Sequence, residues 1–94
     1  RRLLPAREMT EFTDSSGQIV MVEMSIHSAW IGTSIEELQQ RADCRVAFLT
    51  RWAQGELVTP LTVVQENDIA HVLCTPERRN AVARVLATPP RKES

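Results

Sequence analysis

A short segment between two apolar runs constrains the fold of this chain more than any other feature. The segment, Trp30–Leu38, carries Gly32 ahead of two overlapping Ser/Thr-x-x-Glu patterns. Each pattern fits a capping box, in which a hydroxyl accepts a hydrogen bond from an early helical N–H and the glutamate reaches back. The flanking runs Ile19–Ile26 and Arg45–Trp52 show the apolar patterning of strands. Together these features predict a strand, a glycine turn, a short helix and a second strand.

The remaining patterns add further strands and a second helix. A turn is predicted at Ala53–Glu56, a short third strand at Leu57–Pro60 and a fourth strand at Ile69–Cys74. Thr75, followed by a proline and an acidic residue, is predicted to open the last helix, and Pro89 ends it. The order β-α-β-β-β-α predicts an α+β fold, with a four- to five-stranded, mainly antiparallel sheet and both helices on one face.

The length and the local composition suggest one domain with two irregular ends. We assign residues 19–88 to the domain, residues 1–18 to a lead-in and residues 89–94 to a disordered tail. The lead-in has room for a short strand at Glu8–Thr13, and we expect it to be poorly ordered or exchanged with a partner. Because the chain begins with arginine, we interpret it as a piece of a longer protein or as a processed one.

Charge and hydropathy exclude two classes of partner. The chain has 11 basic and 12 acidic residues and a net charge of −1, whereas a nucleic-acid binder usually carries a basic field. No apolar run approaches about 18 residues, the length that a membrane-spanning helix needs. We therefore predict neither nucleic-acid binding nor direct membrane insertion.

No residue pattern supports catalysis or a metal site. An enzyme needs a nucleophile with a base, paired carboxylates or a metal cluster. Ser25, His27 and Ser28 lack a nucleophile-elbow motif, and helix capping accounts for the paired glutamates of the central segment. His71, inside an apolar strand, is interpreted as structural. We predict that the chain is not an enzyme.

The two cysteines leave two interpretations open. Cys44 and Cys74 are the only cysteines, and neither belongs to a Cys-x-x-Cys pair. Reduced, partly buried thiols are the ordinary interpretation, because free cysteine is among the most buried residue types. A disulfide or another redox role is the alternative.

Arg51 is the most informative polar residue of the second strand. Strict alternation puts Val46 and Phe48 on one face and Leu49 and Arg51 on the other. An arginine at the end of such a strand can bind a carboxylate or phosphate through two hydrogen bonds. The alternatives are a pair with Glu56 across the hairpin or a solvated side chain.

Several short motifs, in their order and spacing, resemble the TrkA C-terminal domain family, also called RCK-C. Its members typically show a strand, a G-x-[ST]-[IL]-x-[ED]-L motif, a strand ending in Arg, a hairpin, a Pro and then Gly-Asp before a last apolar strand. The matching stretches lie between Ile19 and Leu86 and are Val22–Met24, Trp30–Leu38, Val46–Arg51, Thr59–Pro60 and Asn67–Val72. The departure is Asn67 in place of glycine, and asparagine also tolerates a left-handed conformation. The actinobacterial members, regulatory subunits of potassium uptake, are the most similar.

The resemblance implies a regulatory role. It predicts a homodimer that controls potassium flux through a membrane-embedded transporter subunit, in the cytoplasm at the inner face of the plasma membrane. It also predicts a preceding Rossmann domain that binds NAD(H) or ATP/ADP, with no cofactor in the present stretch. Some members bind a small effector such as cyclic di-AMP at the dimer seam.

By the same analogy, an effector site would lie at that seam. The candidates are Phe48, Leu49, Arg51 and Pro60. A generic small-molecule sensor of the ACT type is the main alternative function. Its order, β-α-β-β-α-β, requires a strand after the last helix, which the sequence Pro89–Lys92 disfavours.

Overall fold

The computed structural model describes residues 9–90, and the predictions for residues 1–8 and 91–94 lie outside this range. The strands are β1 (Met9–Thr13), β2 (Val20–Ser25), β3 (Arg45–Arg51), β4 (Gln54–Glu56) and β5 (Ile69–Cys74). The helices are α1 (Ile35–Ala42) and α2 (Arg79–Leu86), and single 3-10 turns lie at Ser28–Trp30 and Pro76–Arg78.

Strand β5 is inserted between strands that precede it in the chain. Within residues 9–90, the sheet has five strands in the order β1-β2-β5-β3-β4, and every neighbouring pair is antiparallel. The helix α1 therefore connects β2 and β3, which run parallel to each other on either side of β5. The predicted α+β fold with a mainly antiparallel sheet is confirmed, and the element order differs from that of an ACT domain.

Alternate positions of the strands form the core with the two helices. Each of these side chains is at most 1% exposed: Val22, Met24, Leu49, Ala70 and Val72 from the sheet, and Ile35, Leu38, Val82 and Leu86 from the helices. Full burial of a side chain of this size contributes roughly 1.5–3 kcal/mol relative to its exposure. Both helices thus cover one face of the sheet, as the sequence predicts.

The central segment folds as its local chemistry predicts. Gly32 has φ of 92°, a value that glycine adopts without steric strain. Ser34 is the N-cap of α1, and its hydroxyl accepts a hydrogen bond of 3.1 Å from the Glu37 N–H. Asp43 ends the helix in the left-handed conformation, with φ of 57°. Trp30 is fully buried, and its Nε1 donates to the Thr88 carbonyl at 2.8 Å, which joins this segment to the end of α2.

A β-bulge makes the predicted face assignment of β3 wrong. The pairing with β5 shifts between Val46 and Phe48, so Ala47 is an extra residue. Val46 and Leu49 consequently face the helices together, and Phe48 faces the opposite side. The Val46 N–H donates to Gln39 Oε1 at 2.8 Å, which links the strand to α1 beside the bulge.

The predicted position of the hairpin strand is also wrong. The strand β4 is Gln54–Glu56, and the residues from Leu57 to Pro60 do not form a strand. Trp52 and Ala53 make a two-residue turn with φ of 54° and 65°. Such turns usually contain Asn or Gly, so this pair carries no turn signal in the sequence.

The last helix begins later than predicted. Thr75 makes no side-chain capping bond, and Pro76 opens a 3-10 turn before α2 starts at Arg79. The strand β1 occupies the edge of the sheet beside β2, within the stretch assigned to the lead-in.

Candidate functional site: the β3–β4 hairpin and the Arg51–Asp68 pair

A paired arginine and aspartate lie where β3 ends and β5 begins. Arg51 Nε donates to Asp68 Oδ1 at 2.9 Å, and Arg51 Nη2 donates to Asp68 Oδ2 at 2.8 Å. The Asp68 side chain is fully buried and also accepts a hydrogen bond of 2.8 Å from the Gln65 N–H. Arg51 Nη2 also donates to the Val63 carbonyl at 3.0 Å. The buried carboxylate is therefore well satisfied, which a buried charge requires.

The pairing has consequences for the protonation of Arg51. The hydrogen bonds that Arg51 donates to Asp68 raise the pKa of Arg51 above its ordinary value, against the opposing effect of desolvation. Glu56, one of the alternative partners considered from the sequence, makes the smallest contribution to this pKa, through its charge alone. Arg51 thus stays charged, and one edge of its guanidinium is hydrogen-bonded to the Asp68 carboxylate.

The segment after Arg51 exposes four large apolar side chains. We call Trp52, Leu57, Leu61 and Val63 the hairpin patch. These residues are 77%, 89%, 80% and 41% exposed, respectively. The patch lies along the edge strand β4 and the loop that returns to β5. Exposed apolar side chains grouped in one segment are typical of an interaction surface.

The same loop closes the N-terminus of α1. The Pro60 carbonyl accepts from the Glu36 N–H at 3.0 Å, and the Thr62 carbonyl accepts from the Ile35 N–H at 2.7 Å. These two donors belong to the first turn of a helix, which has no intrahelical acceptors for them. Pro60 is therefore fixed between the hairpin patch and the start of α1.

A second polar cluster lies on the sheet face opposite the helices. His71 is 5% exposed; its Nδ1 lies 2.7 Å from Glu11 Oε1, and its Nε2 lies 2.6 Å from Thr50 Oγ1. The Phe48 ring stacks on the imidazole with centroids 4.0 Å apart. Both ring nitrogens have partners, which agrees with the structural role predicted for His71.

The four candidate effector residues do not form one surface. Leu49 is fully buried beneath the helices, and Phe48 packs against His71 on the other face. Pro60 lies in the return loop that carries Val63, and Arg51 contacts the same loop through the Val63 carbonyl. Their role in effector binding stays a prediction. Sequence reasoning missed Asp68 as the partner of Arg51, and it missed the hairpin patch.

The described part of the chain offers neither a metal-binding cluster nor a membrane-spanning helix. Between Met9 and Pro90, no group of three or more His, Cys, Asp and Glu side chains is arranged to hold a metal ion. In the same range, no helix has both the length and the apolar character that crossing a membrane requires.

Comparisons with known proteins agree with the fold and with the motifs. Residues 19–87 match the family model of the TrkA-C domain. The chain is 38% identical over 73 residues to the Trk system potassium uptake protein TrkA of Streptomyces coelicolor. That match covers 78% of this chain and 33% of the relative, so the chain spans about a third of the relative's length.

Solved structures of low sequence identity share the architecture. The GsuK RCK domain is 18% identical with a TM-score of 0.68, and the match covers 92% of this chain and 19% of that one. The GsuK channel bound to NAD has a TM-score of 0.67 at 18% identity, and the match covers 94% of this chain and 16% of that one. The family match spans the core, the Gly32 turn, Arg51 and Asp68. This chain belongs to the TrkA-C domain family.

Proposed function

We propose that the chain is a regulatory domain of a potassium-uptake system, in which it acts as a homodimer on a membrane-embedded transporter subunit. The observation that carries this proposal is the 38% identity to a TrkA protein over 78% of the chain. The role is regulatory and not catalytic, and the place of action is the cytoplasmic side of the membrane. A nucleotide-binding Rossmann domain, for NAD(H) or ATP/ADP, belongs to the same proposal as a preceding domain.

The hairpin patch is the proposed dimer seam. Burying one tryptophan side chain removes roughly 200 Å² from water, and a stable interface requires about 800 Å² from each partner. Trp52, Leu57 and Leu61 are each at least 77% exposed, so they offer more apolar area than the opposite edge of the sheet, where Met9 and Phe12 of β1 are 55% and 51% exposed. A twofold axis beside β4 would bring two copies of the patch together.

An anionic effector such as cyclic di-AMP would bind at this seam. The Arg51 side chain is 17% exposed, so part of its surface is open to solvent while Asp68 occupies the other edge. Adenine rings would pack on the hairpin patch near Pro60, and a phosphate would approach Arg51.

Calorimetric titration with cyclic di-AMP tests the effector proposal. We expect saturable heat with the folded wild-type dimer and at least a tenfold weaker Kd for Arg51→Lys, which keeps the charge but loses the planar fork. Arg45→Lys, at the other end of the same strand, is the matched control and should bind as the wild type does. The absence of heat at high micromolar ligand, in a dimer that is folded, would exclude cyclic di-AMP as the effector.

Potassium uptake tests the broader role. In cells whose uptake depends on the parent protein, the double substitution Trp52→Ser and Leu57→Ser should change the rate or the regulation of potassium uptake at unchanged protein level. The matched control is Phe12→Ser in β1, at the opposite edge of the sheet, which should leave uptake unchanged. Uptake that responds to neither change would contradict a role for the patch in regulating potassium flux.

A further inference from the structure

The pairing of β3 with β5 sets the two cysteines opposite each other. Arg45 pairs with Leu73 and Val46 pairs with Val72, so the next residues outward in the same register are Cys44 and Cys74. Residues directly opposite in an antiparallel pair have Cα atoms about 4.5–5.5 Å apart. Disulfides join Cα atoms roughly 4.4–6.8 Å apart, so this register meets the geometric requirement.

The two side chains also share one face and one cavity. Cys74 follows the same alternation as Ala70 and Val72 and is 8% exposed in the core, and Cys44 packs against that core. Both cysteines line an open cavity of about 490 Å³ at this end of the sheet. The cavity gives a small reagent access to thiols that are otherwise mostly covered.

We propose that Cys44 and Cys74 are a disulfide-forming pair, oxidised by a small-molecule disulfide that enters this cavity. In the first step, one cysteine sulfur attacks the reagent, a mixed disulfide forms, and one reagent thiol leaves. In the second step, the other cysteine attacks the mixed disulfide and releases the second reagent thiol. Two protein thiols are oxidised and one reagent disulfide is reduced to two thiols, so atoms and electrons balance.

The surroundings determine the rate and the kind of reagent. Burial raises the pKa of the Cys44 thiol to about 12, with a smaller contribution from the nearby Cys74, and burial also raises the pKa of Cys74. Both groups are therefore thiols at neutral pH, and the first attack is slow because the thiolate is the nucleophile. Arg45 and Arg78 line the same cavity with a single acid, Asp43, so an anionic disulfide is favoured over a cationic one.

The bond would connect two junctions of the fold. Cys44 follows the left-handed cap of α1, and Cys74 precedes the turn that opens α2. The closed loop of about 30 residues contains β3, the hairpin patch and most of β5, and loops of this size give substantial stabilisation when crosslinked. Oxidation would thus restrict the segment that carries the candidate site, whether or not the proposed function is correct.

Oxidation of the full chain with glutathione disulfide tests the proposal. The reduced protein is incubated at mildly alkaline pH until the free-thiol count is constant, and intact mass and peptide mapping are then recorded. We expect both thiols to disappear, a mass lower by two hydrogen atoms, and a peptide linking Cys44 to Cys74. The thermal midpoint of the protein with the internal disulfide should rise by roughly 10 °C, and thiol reduction should reverse the rise.

Single substitutions and an unfolded sample complete the experiment. Cys44→Ser and Cys74→Ser should each give a glutathione adduct or an inter-chain dimer in place of the internal bond. If a serine variant does not fold, the oxidation of the wild type alone decides the test. Free thiols that persist in the folded wild type, under conditions that oxidise the urea-unfolded chain, would overturn the proposal, and so would a stable adduct on one cysteine beside a free second cysteine.

Discussion

Arg51 and Asp68 face each other across β3 and β5, joined by two hydrogen bonds of 2.9 and 2.8 Å between the guanidinium and both carboxylate oxygens. The pair connects the end of one central strand to the beginning of another and fixes the return loop through the Val63 carbonyl. It therefore positions the hairpin patch and shapes the candidate site at the same time. A variant of Arg51 will affect folding as well as binding.

Removing either partner should destabilise the chain strongly. Arg51→Ala leaves a fully buried carboxylate without its counter-charge, and Asp68→Ala leaves a mostly buried guanidinium. We expect each to lower the free energy of urea unfolding by about 3 kcal/mol. Arg84→Ala, an exposed position in α2, is the control and should change it by less than about 0.5 kcal/mol. If each of the two substitutions lowers the unfolding free energy by less than about 1 kcal/mol, the ion pair is not required for the structure.

Any side chain at Gly32 should lower the stability of the chain. A Cβ at Gly32 would meet no atom within 4 Å, so the cost of Gly32→Ala comes only from the backbone, at φ of 92°. We expect a loss of about 1–2 kcal/mol in unfolding free energy. Gly55→Ala is the matched control because Gly55 is not in a left-handed conformation and its Cβ would lie 3.9 Å from Phe48. Equal effects of the two substitutions would contradict this account of the turn.

The hairpin turn should become more stable with a glycine. Ala53 has φ of 65°, in a two-residue turn that favours glycine at this position. We expect Ala53→Gly to raise the unfolding free energy by about 0.5–1 kcal/mol, because the strain of a left-handed alanine is relieved. Ala81→Gly, within α2, should instead lower it by about 1 kcal/mol. A destabilising effect at position 53 would mean that the turn is not strained.

The loop between β1 and β2 should give the chain an acid-sensitive contribution to stability. Hydrogen bonds from the Ser16 hydroxyl and from backbone N–H groups, that of Ile19 foremost, lower the pKa of Asp14 from 3.8 to about 2. Because the folded-state pKa is depressed, the contribution is complete above pH 3.8 and is lost as the pH falls toward about 2.

NMR titration of the Asp14 carboxyl carbon measures this shift directly. The stability difference between the wild type and Asp14→Asn should be constant near neutral pH and should shrink through the same acidic window. Titration of the carboxyl at 3.8 or above would show that the loop does not hold the carboxylate as described.

The elements that could be predicted are those with local signals. The capping pattern at Ser34 and the apolar runs around it specify α1, β2 and β3 before any tertiary contact is considered. The bulge at Ala47 has no such local signal, and the hydrogen bond beside it joins Val46 to Gln39 on a different element. Local patterning therefore identified the strand but assigned the wrong face to half of it.

The candidate site depends on topology more than on local chemistry. Arg51 has Asp68 as its partner only because β5 enters the sheet between β2 and β3, an insertion that strand patterns alone do not specify. Once that order is known, the pairing of Thr50 with Ile69 brings the next residues, Arg51 and Asp68, together. Glu11 reaches His71 for a similar reason, because β1 adds to the edge of the same sheet.

Sedimentation equilibrium of the wild-type chain at tens of micromolar tests the central claim, that the hairpin patch is the seam of a homodimer. The account predicts twice the chain mass of 10.6 kDa for the wild type and for Phe12→Ser, and a single chain mass for the Trp52→Ser and Leu57→Ser double variant. A wild type that is strictly monomeric, or a dimer that only Phe12→Ser disrupts, would contradict it.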